Sequence, residues 1–217
     1  AAENQTSIGT VTATDTDTAD SSIVFSVSGS ELAITSGGVL TFASAPDYET
    51  KSSYSATVTA SDGTNSSTQD ITVTITDVDD VAPVFTSNAT FSAAENQTSI
   101  GTVTATDADT DDSSIVFSVS GSELAITSGG VLTFASAPDY ETKSSYSATV
   151  TASDGTNSST QDITVNITNV NDNTPSITSS ATFSAAENQT SIGTVTATDA
   201  DGDCLLYTSD AADDRMR

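Results

Sequence analysis

The chain has 217 residues and a formal net charge of -26, from 30 Asp and Glu against four Lys and Arg, with no His and no Trp. Such a surface excludes binding to nucleic acid or an anionic membrane through a basic patch, because phosphate contact draws on Lys and Arg. No run approaches the roughly 18 apolar residues of a membrane-spanning helix, and the lone Cys204 has no partner for a disulfide within the chain.

The opening Ala2-Glu3-Asn4-Gln5-Thr6-Ser7-Ile8-Gly9 returns at Glu95 and again at Glu187, a period of 92 residues. A fixed period of this length denotes an array of modules. Val11 and Ala13 share a face and lead in phase to Asp15, with Asp17 close behind. Ile23 to Val27 reads as a short strand. Leu32 to Thr35 and Val39 to Phe42 flank Gly37-Gly38, which predicts a hairpin closed by a two-residue primed turn, since such turns need positive φ. Asp47 and Glu49 follow in Pro-Asp-Tyr-Glu. Tyr54, Ala56, Val58 and Ala60 then line one face of a strand that ends at Asp62. Ile71 to Asp77 alternates aliphatic residues with Thr, the period of a half-buried strand.

Adding Val84-Phe85, the start of the next copy, gives about seven short strands per unit and no useful helical period, which predicts an all-β fold of tandem seven-stranded Greek-key, immunoglobulin-like sandwiches. The units expected are 1–83, 84–175 and the start of a third at 176–203. Residue 1 falls inside a copy, so the sequence reads as an internal piece of something longer. From Cys204 the period stops, and residues 204–217 resemble the translation of a sequencing-library adapter.

Greek-key order sorts the acids by end. Asp107, Asp109 and Asp154 fall at one end of the second unit. Glu3, Asp47, Glu49, Asp77, Asp79 and Asp80 fall at the opposite end of the first. Stacking the units end to end would gather these nine carboxylates at one joint. Charges this dense repel unless cations bind. Oxygen ligands without His or Cys suit Ca2+, which accepts six to eight oxygens in flexible geometry, better than Mg2+, which keeps its water.

Glu3-Asn4, Asp15-Thr16-Asp17, Asp47-Tyr48-Glu49, Ala60-Ser61-Asp62-Gly63 and Asp77-Val78-Asp79-Asp80-Val81-Ala82-Pro83 occur in the order of the cadherin repeat. Residues 1 to 203 resemble that family, in the cysteine-free variety found in large bacterial surface proteins. The resemblance implies that Glu3, Asp47, Glu49 and Asp80 hold the outer calcium ions, with Asp77 and the carbonyl of Val78 completing the second. It implies that Asp79, Asp107, Asp109 and Asp154 hold a third, helped by the carbonyl of Val81. Asp79 stands where the family pattern has Asn, and Val81 offers only its backbone.

The second joint reads Asn169-Val170-Asn171-Asp172-Asn173-Thr174-Pro175, with Asn169 where the family has Asp. Asn169 and Asn171 join Glu95, Asp139, Glu141, Asp172, Asp199 and Asp201 as its expected ligands. Six carboxylates replace nine, so weaker binding is expected there. Asp15, Asp17 and Asp62 form a set with no partner, best explained by a further unit before Ala1. The first two copies differ at ten of 92 positions, clustered at the joint.

A calcium-rigidified stalk in cell-surface adhesion, outside the cell, is the function this resemblance implies, with neighbouring repeats as partners. The alternatives are a glycan-binding or homophilic module, or accessory repeats of a secreted enzyme. A glycan platform needs exposed aromatics, whereas Phe25, Phe42, Tyr48 and Tyr54 sit at positions that favour the core. Asp47 and Glu49 have the spacing of a glycosidase pair. They recur in every full unit and lack a nucleophile or His, so the chain is not expected to be an enzyme.

Overall fold

A computed structural model of the chain describes residues 1–202, so the adapter-like stretch 204–217 lies outside the described residues. The described chain divides into two compact units. The first comprises Ala1–Pro83 with Thr106–Ile115 and Ser153–Ser158; the second comprises Val84–Ala105, Val116–Ala152 and the chain from Ser159 onward.

In the first unit the strands are β1 (Ser7–Thr10), β2 (Val24–Val27), β3 (Leu32–Ile34), β4 (Val39–Phe42), β5 (Ser53–Ser61) and β6 (Ser66–Thr74). They form two antiparallel sheets, β1-β4-β3 and β2-β5-β6. β5 and β6 pair over nine residues, from Ser53 opposite Thr74 to Ser61 opposite Ser66. The alternation in these strands sends Val58 and Val73 inward and leaves Ser and Thr outside. Leu32, Leu40, Phe42, Val73 and Ile75 make one buried cluster, and Ile23, Phe25 and Val58 another. Phe42 meets Tyr54 edge-on at 5.1 Å between ring centroids. Both belong to the core, as their strand positions predict. A seventh strand is reduced here to a parallel bridge between Ala2 and Thr76.

One turn differs from expectation. β3 pairs with β4 through Ile34 opposite Leu40, and Thr35 and Gly38 bond as Gly38 N–H to Thr35 O at 2.9 Å. The loop is therefore Ser36-Gly37-Gly38, three residues, with only Gly38 at positive φ (88°). Thr35 decides this length: its Oγ1 accepts the Val39 N–H at 3.0 Å and so closes the loop one residue earlier. This is the three-residue hairpin with a left-handed glycine rather than the two-residue primed turn. Gly38 is required a second way, because a Cβ there would lie 2.2 Å from the carbonyl oxygen of Val11.

In the second unit β7 (Val84–Phe85), β8 (Thr90–Ala94), β9 (Ser99–Thr102) and β10 (Ala105–Thr106) precede β11 (Val116–Val119), β12 (Leu124–Ile126), β13 (Val131–Phe134), β14 (Ser145–Ser153) and β15 (Ser158–Thr168). The sheets are β12-β13-β9 and β11-β14-β15-β8, with β7 on β10. One stretch of chain thus serves two sheets, as β7 pairs with β10 in a two-stranded sheet of its own and β8 runs parallel to β15 from Thr90 opposite Thr164 to Ala94 opposite Thr168. The result is the all-β, Greek-key sandwich that the sequence predicts.

Beyond Pro175 only β16 (Ser176–Ile177) and β17 (Ala197–Thr198) pair among the described residues. Val195 is 66% exposed, whereas Val103, at the same place in the second copy, is 1% exposed. Among the described residues, the third copy's apolar side chains meet no second sheet.

Candidate metal centre

The left-handed residue after Glu3 starts the site. Asn4 has φ 58°, a conformation Asn tolerates better than most side chains, and it turns Glu3 into the first unit, where that carboxylate is 2% exposed. Glu3 Oε2 accepts the N–H of Tyr48 at 2.8 Å and Oε1 accepts that of Val78 at 2.7 Å. One buried carboxylate thereby ties the Pro-Asp-Tyr-Glu loop to the segment after β6. Carboxylate oxygens of Glu3, Asp47 and Glu49 approach within 4.8 Å of one another.

Thr106–Ile115 and Ser153–Ser158 add the remaining acids to this unit. Asp109 Oδ2 accepts the N–H groups of Asp80 at 2.9 Å and Val81 at 2.7 Å. Asp107 Oδ1 accepts those of Asp109 and Thr110, each at 2.9 Å. Asp154 Oδ1 accepts those of Thr156 and Asn157, each at 2.6 Å. Asn157 Nδ2 donates to Asp79 Oδ1 at 3.0 Å, and Asn4 Nδ2 donates to Asp80 Oδ2. Oxygens of Glu49, Asp80 and Asp109 form a second group within 4.8 Å.

In Asp107, Asp109 and Asp154 one carboxylate oxygen is fixed by backbone donors and the other is left over. Asp107 Oδ2, Asp109 Oδ1 and Asp154 Oδ2 are buried with no hydrogen-bond partner. Buried carboxylate oxygens without a donor are costly unless something positive meets them. The described side-chain cations are engaged elsewhere: Lys51 with Glu31 and Lys143 with Glu123, each at 2.5 Å. The orphaned oxygens and an all-oxygen donor set fit a hard divalent cation.

The crowding is visible in the acidities. A backbone hydrogen bond lowers the Glu49 carboxyl, but desolvation and then the Asp109 and Glu3 carboxylates outweigh it and push it up to about 7. Desolvation, then Asp109 and Glu3, also raise Asp77. Desolvation of Asp109 acts upward, yet the N–H groups of Val81 and Asp80 and the hydrogen bond with Glu49 hold it below the usual range.

The second unit repeats half of this. Glu95, 3% exposed, accepts the N–H groups of Tyr140 and Val170, both at 2.7 Å. Oxygens of Glu95, Glu141 and Asp172 lie within 4.8 Å, and Asp139 binds Thr142 as Asp47 binds Thr50. Asp199 Oδ1 accepts the Asp201 N–H at 3.0 Å. Around Asp201 amides replace vacancy. Asn173 Nδ2 donates to Asp201 Oδ1 and to Asp172 Oδ1, both at 2.9 Å, and Asn169 Nδ2 donates to the Asp201 carbonyl at 2.8 Å. The hydrogen bonds from the Asn173 side chain are the chief cause that holds Asp201 low. Asn171 also has a partner. In the first unit, oxygens of Asp15, Asp17 and Asp62 lie within 4.8 Å of one another, with Asp17 and Asp15 exposed and Asp62 half-buried.

Sequence reasoning left three contributors out of the site. Asn4 was legible as the residue after a turn Glu, since only Asn or Gly suits the left-handed position. Asn157 and the amide of Asn173 carried no local signal.

Two-sheet sandwiches repeated in tandem, each with a buried Glu that ties two loops together, define a β-sandwich repeat protein. The cadherin domain family model matches residues 1–76 and 89–168, and the chain belongs to that family. Cadherin EGF LAG seven-pass G-type receptor 1 of Homo sapiens is 34% identical over 197 residues, covering 82% of this chain and 6% of that protein. Protocadherin-like wing polarity protein stan of Drosophila melanogaster is 36% identical over 199 residues, covering 78% of this chain and 5% of that protein. The chain thus spans about a twentieth of the length of these relatives. Among solved structures, mouse Cadherin-23 EC22-24 matches with a TM-score of 0.69 at 25% identity, over 92% of this chain and 73% of that one. The Protocadherin GammaB4 extracellular domain matches with a TM-score of 0.70 at 26% identity, over 92% and 38%.

Proposed function

We propose that this chain is a calcium-binding segment of an extracellular adhesion protein, and that Ca2+ stiffens it where one repeat, 1–83, joins the next, 84–175. The observation that carries the reading is the trio of buried, donorless oxygens on Asp107, Asp109 and Asp154. Glu3, Asp47, Glu49, Asp77 and Asp80 with the Val78 carbonyl would hold two ions. Asp79, Asp107, Asp109 and Asp154 with the Val81 carbonyl would hold a third. The second joint, through Glu95, Asp139, Glu141, Asp172, Asp199 and Asp201, would bind more weakly, because Asn169 and Asn173 amides already occupy Asp201. Asp15, Asp17 and Asp62 would serve as half of a further site.

Asp47 and Glu49 are thereby ligands rather than a catalytic pair. A glycan platform finds no support in the full repeats, where Phe25, Phe42, Phe117 and Phe134 are all buried. The cell surface is the place of such repeats, as in the extracellular cadherin domains of the structural relatives. Thermal melting of the chain in EGTA and in millimolar Ca2+ tests the reading. Extracellular modules bind at roughly 10⁻⁴ to 10⁻³ M, so Ca2+ is expected to raise Tm and protease resistance, and EGTA to reverse both. An unchanged melting curve at millimolar Ca2+ sinks it.

A further inference from the structure

We propose that the second unit is a tension-bearing element, with β8 and β15 as a shear clamp and β7 as a short segment that lets go first. Tension along the chain reaches the strands of this unit at Val84 and leaves them after Thr168. Between those points β8 runs parallel to β15, from Thr90 opposite Thr164 to Ala94 opposite Thr168. The pull therefore acts on β8 at its Thr90 end and on β15 at its Thr168 end, which are opposite ends of one ladder. The strands can part only by sliding along their axis, and that loads every bond of the ladder together. An antiparallel pair of entry and exit strands would be loaded at one end and would open bond by bond.

The ladder is fastened at both ends. The Thr164 N–H donates to the Ala89 carbonyl at 2.9 Å, and the Glu95 N–H to the Thr168 carbonyl at 3.3 Å. The Glu95 side chain extends the fastening, since its two oxygens accept the N–H groups of Val170 and Tyr140, both at 2.7 Å. Water is kept from the inner face, where Ala93, Ile163, Val165 and Ile167 are all buried. Hydrogen bonds beside such a face are stronger than bonds that water can reach. A slide by one residue would turn Ala93 out of the core, because side chains alternate between faces, so no small slip relieves the load.

β7 is held by much less. It pairs only with the two-residue β10, the Thr86 N–H donates to Thr104 O at 2.9 Å, and the Phe85 ring lies 6.4 Å from that of Phe117 between centroids. Standing between the point where tension arrives and the clamp, β7 meets the load before β8 does. Its release frees residues 84–89, at most about 20 Å of chain at roughly 3.4 Å per residue. The sheets β12-β13-β9 and β11-β14-β15-β8 stay closed meanwhile. The unit thus lengthens slightly under a small load and holds under a larger one, which is what dividing the first strand between two sheets achieves. No cation takes part, so this proposal fails or stands separately from the calcium reading.

Single-molecule pulling on the full chain in EGTA tests this in two geometries, with thiol-linked handles and Cys204→Ser in both. Val84→Cys with Thr174→Cys loads the unit along the direction of the chain. Val84→Cys with Thr160→Cys pulls the Thr90 end of β8 away from the start of β15, the same end of the ladder. All three handle positions are exposed. The first geometry is expected to give an initial step of at most about 20 Å at low force, then opening of the unit at a force severalfold higher than the second geometry needs. Equal opening forces in the two geometries, or a β7 that holds until the whole unit opens, overturns the proposal.

Discussion

Replacing Glu3 by Gln separates the structural part of the first joint from the metal-binding part. Glu3 is 2% exposed and accepts backbone N–H groups from Val78 at 2.7 Å and Tyr48 at 2.8 Å. Gln keeps one acceptor and turns the other into an NH2 that faces a donor, so one bond is lost and one buried N–H is stranded. That change costs about 2–3 kcal/mol. Removing the charge also relieves Glu49 and Asp77, both of which Glu3 pushes upward. Water reaches those two carboxyls and screens the repulsion, so the lost bond decides the sign. Metal-free E3Q is therefore less stable than the parent. Glu95 makes the same bonds at 2.7 and 2.7 Å, so E95Q loses the same amount without metal. Calcium parts them. At about a hundred times its Kd, Ca2+ adds about 2.7 kcal/mol to the folded state, and E3Q forfeits most of that while E95Q forfeits little. Denaturant unfolding of the three proteins, with and without EGTA, reads both terms. Equal calcium-dependent losses in E3Q and E95Q refute the ranking of the joints, and unchanged metal-free stability in both refutes the hydrogen-bond argument.

Gly38→Ala must hold φ 88° and drive a Cβ to within 2.2 Å of the Val11 oxygen, whereas Gly29→Ala at φ 81° meets nothing within 4 Å. The left-handed conformation costs about 1–2 kcal/mol in both, and Gly38→Ala also sacrifices the Val11 N–H bond, about 1 kcal/mol more. Chemical denaturation should rank them so, and equal losses would show that the backbone relaxes. Asn169→Asp restores a carboxylate and removes the amide bond to the Asp201 carbonyl. Its second joint should bind Ca2+ roughly tenfold tighter, about 1.4 kcal/mol, with a small loss of metal-free stability; calorimetry showing no change in the weaker class of sites would count against the charge argument. The pH response has a definite sign. Glu49, at about 7, and the raised Asp77 and Glu141 bind protons more tightly folded than unfolded. Their stabilising contribution is complete below the unfolded values and is lost as pH rises through the folded ones, so metal-free Tm should fall between about pH 4.5 and 7. Asp109 and Asp201, held low, act the other way and only in stronger acid. Calcium competes with the same protons, so its apparent affinity should rise across that window; a metal-free Tm that climbs from pH 5 to 7 contradicts the assignment.

Much of the fold was legible because period two is a strong signal in this chain. Val58 and Val73 sit on the buried face that their alternation marks, and the Gly37-Gly38 pair marks a real hairpin. The loop length was not legible, since it depends on a Thr35 hydroxyl reaching the Val39 N–H. Nor was the division of the first strand into β7 and β8, which depends on two different sheets each offering an edge. In the site, residue type and order marked the carboxylates, but which oxygen is free depends on loop conformation. Asp154 shows this: its Oδ1 is consumed by the N–H groups of Thr156 and Asn157, and only Oδ2 is left without a donor.

The two copies keep every strand core and change their joints, and the changes at two positions act on one residue, Asp201. In the first copy Asp77 and Val81 provide no amide, and Asp109 Oδ1 is left bare. In the second, Asn169 and Asn173 stand at those places, and the equivalent Asp201 Oδ1 receives an amide at 2.9 Å. An amide hydrogen bond satisfies a carboxylate without neutralising it, so it can hold a loop in place but cannot offset the repulsion of several neighbours. The second joint tolerates this because it has fewer carboxylates to offset. The first, with nine, does not have that option, and its geometry leaves the bare oxygens that a divalent cation would neutralise. Substitutions at two positions therefore separate a cluster with a bare carboxylate oxygen on Asp109 from one in which an amide already meets the equivalent Asp201.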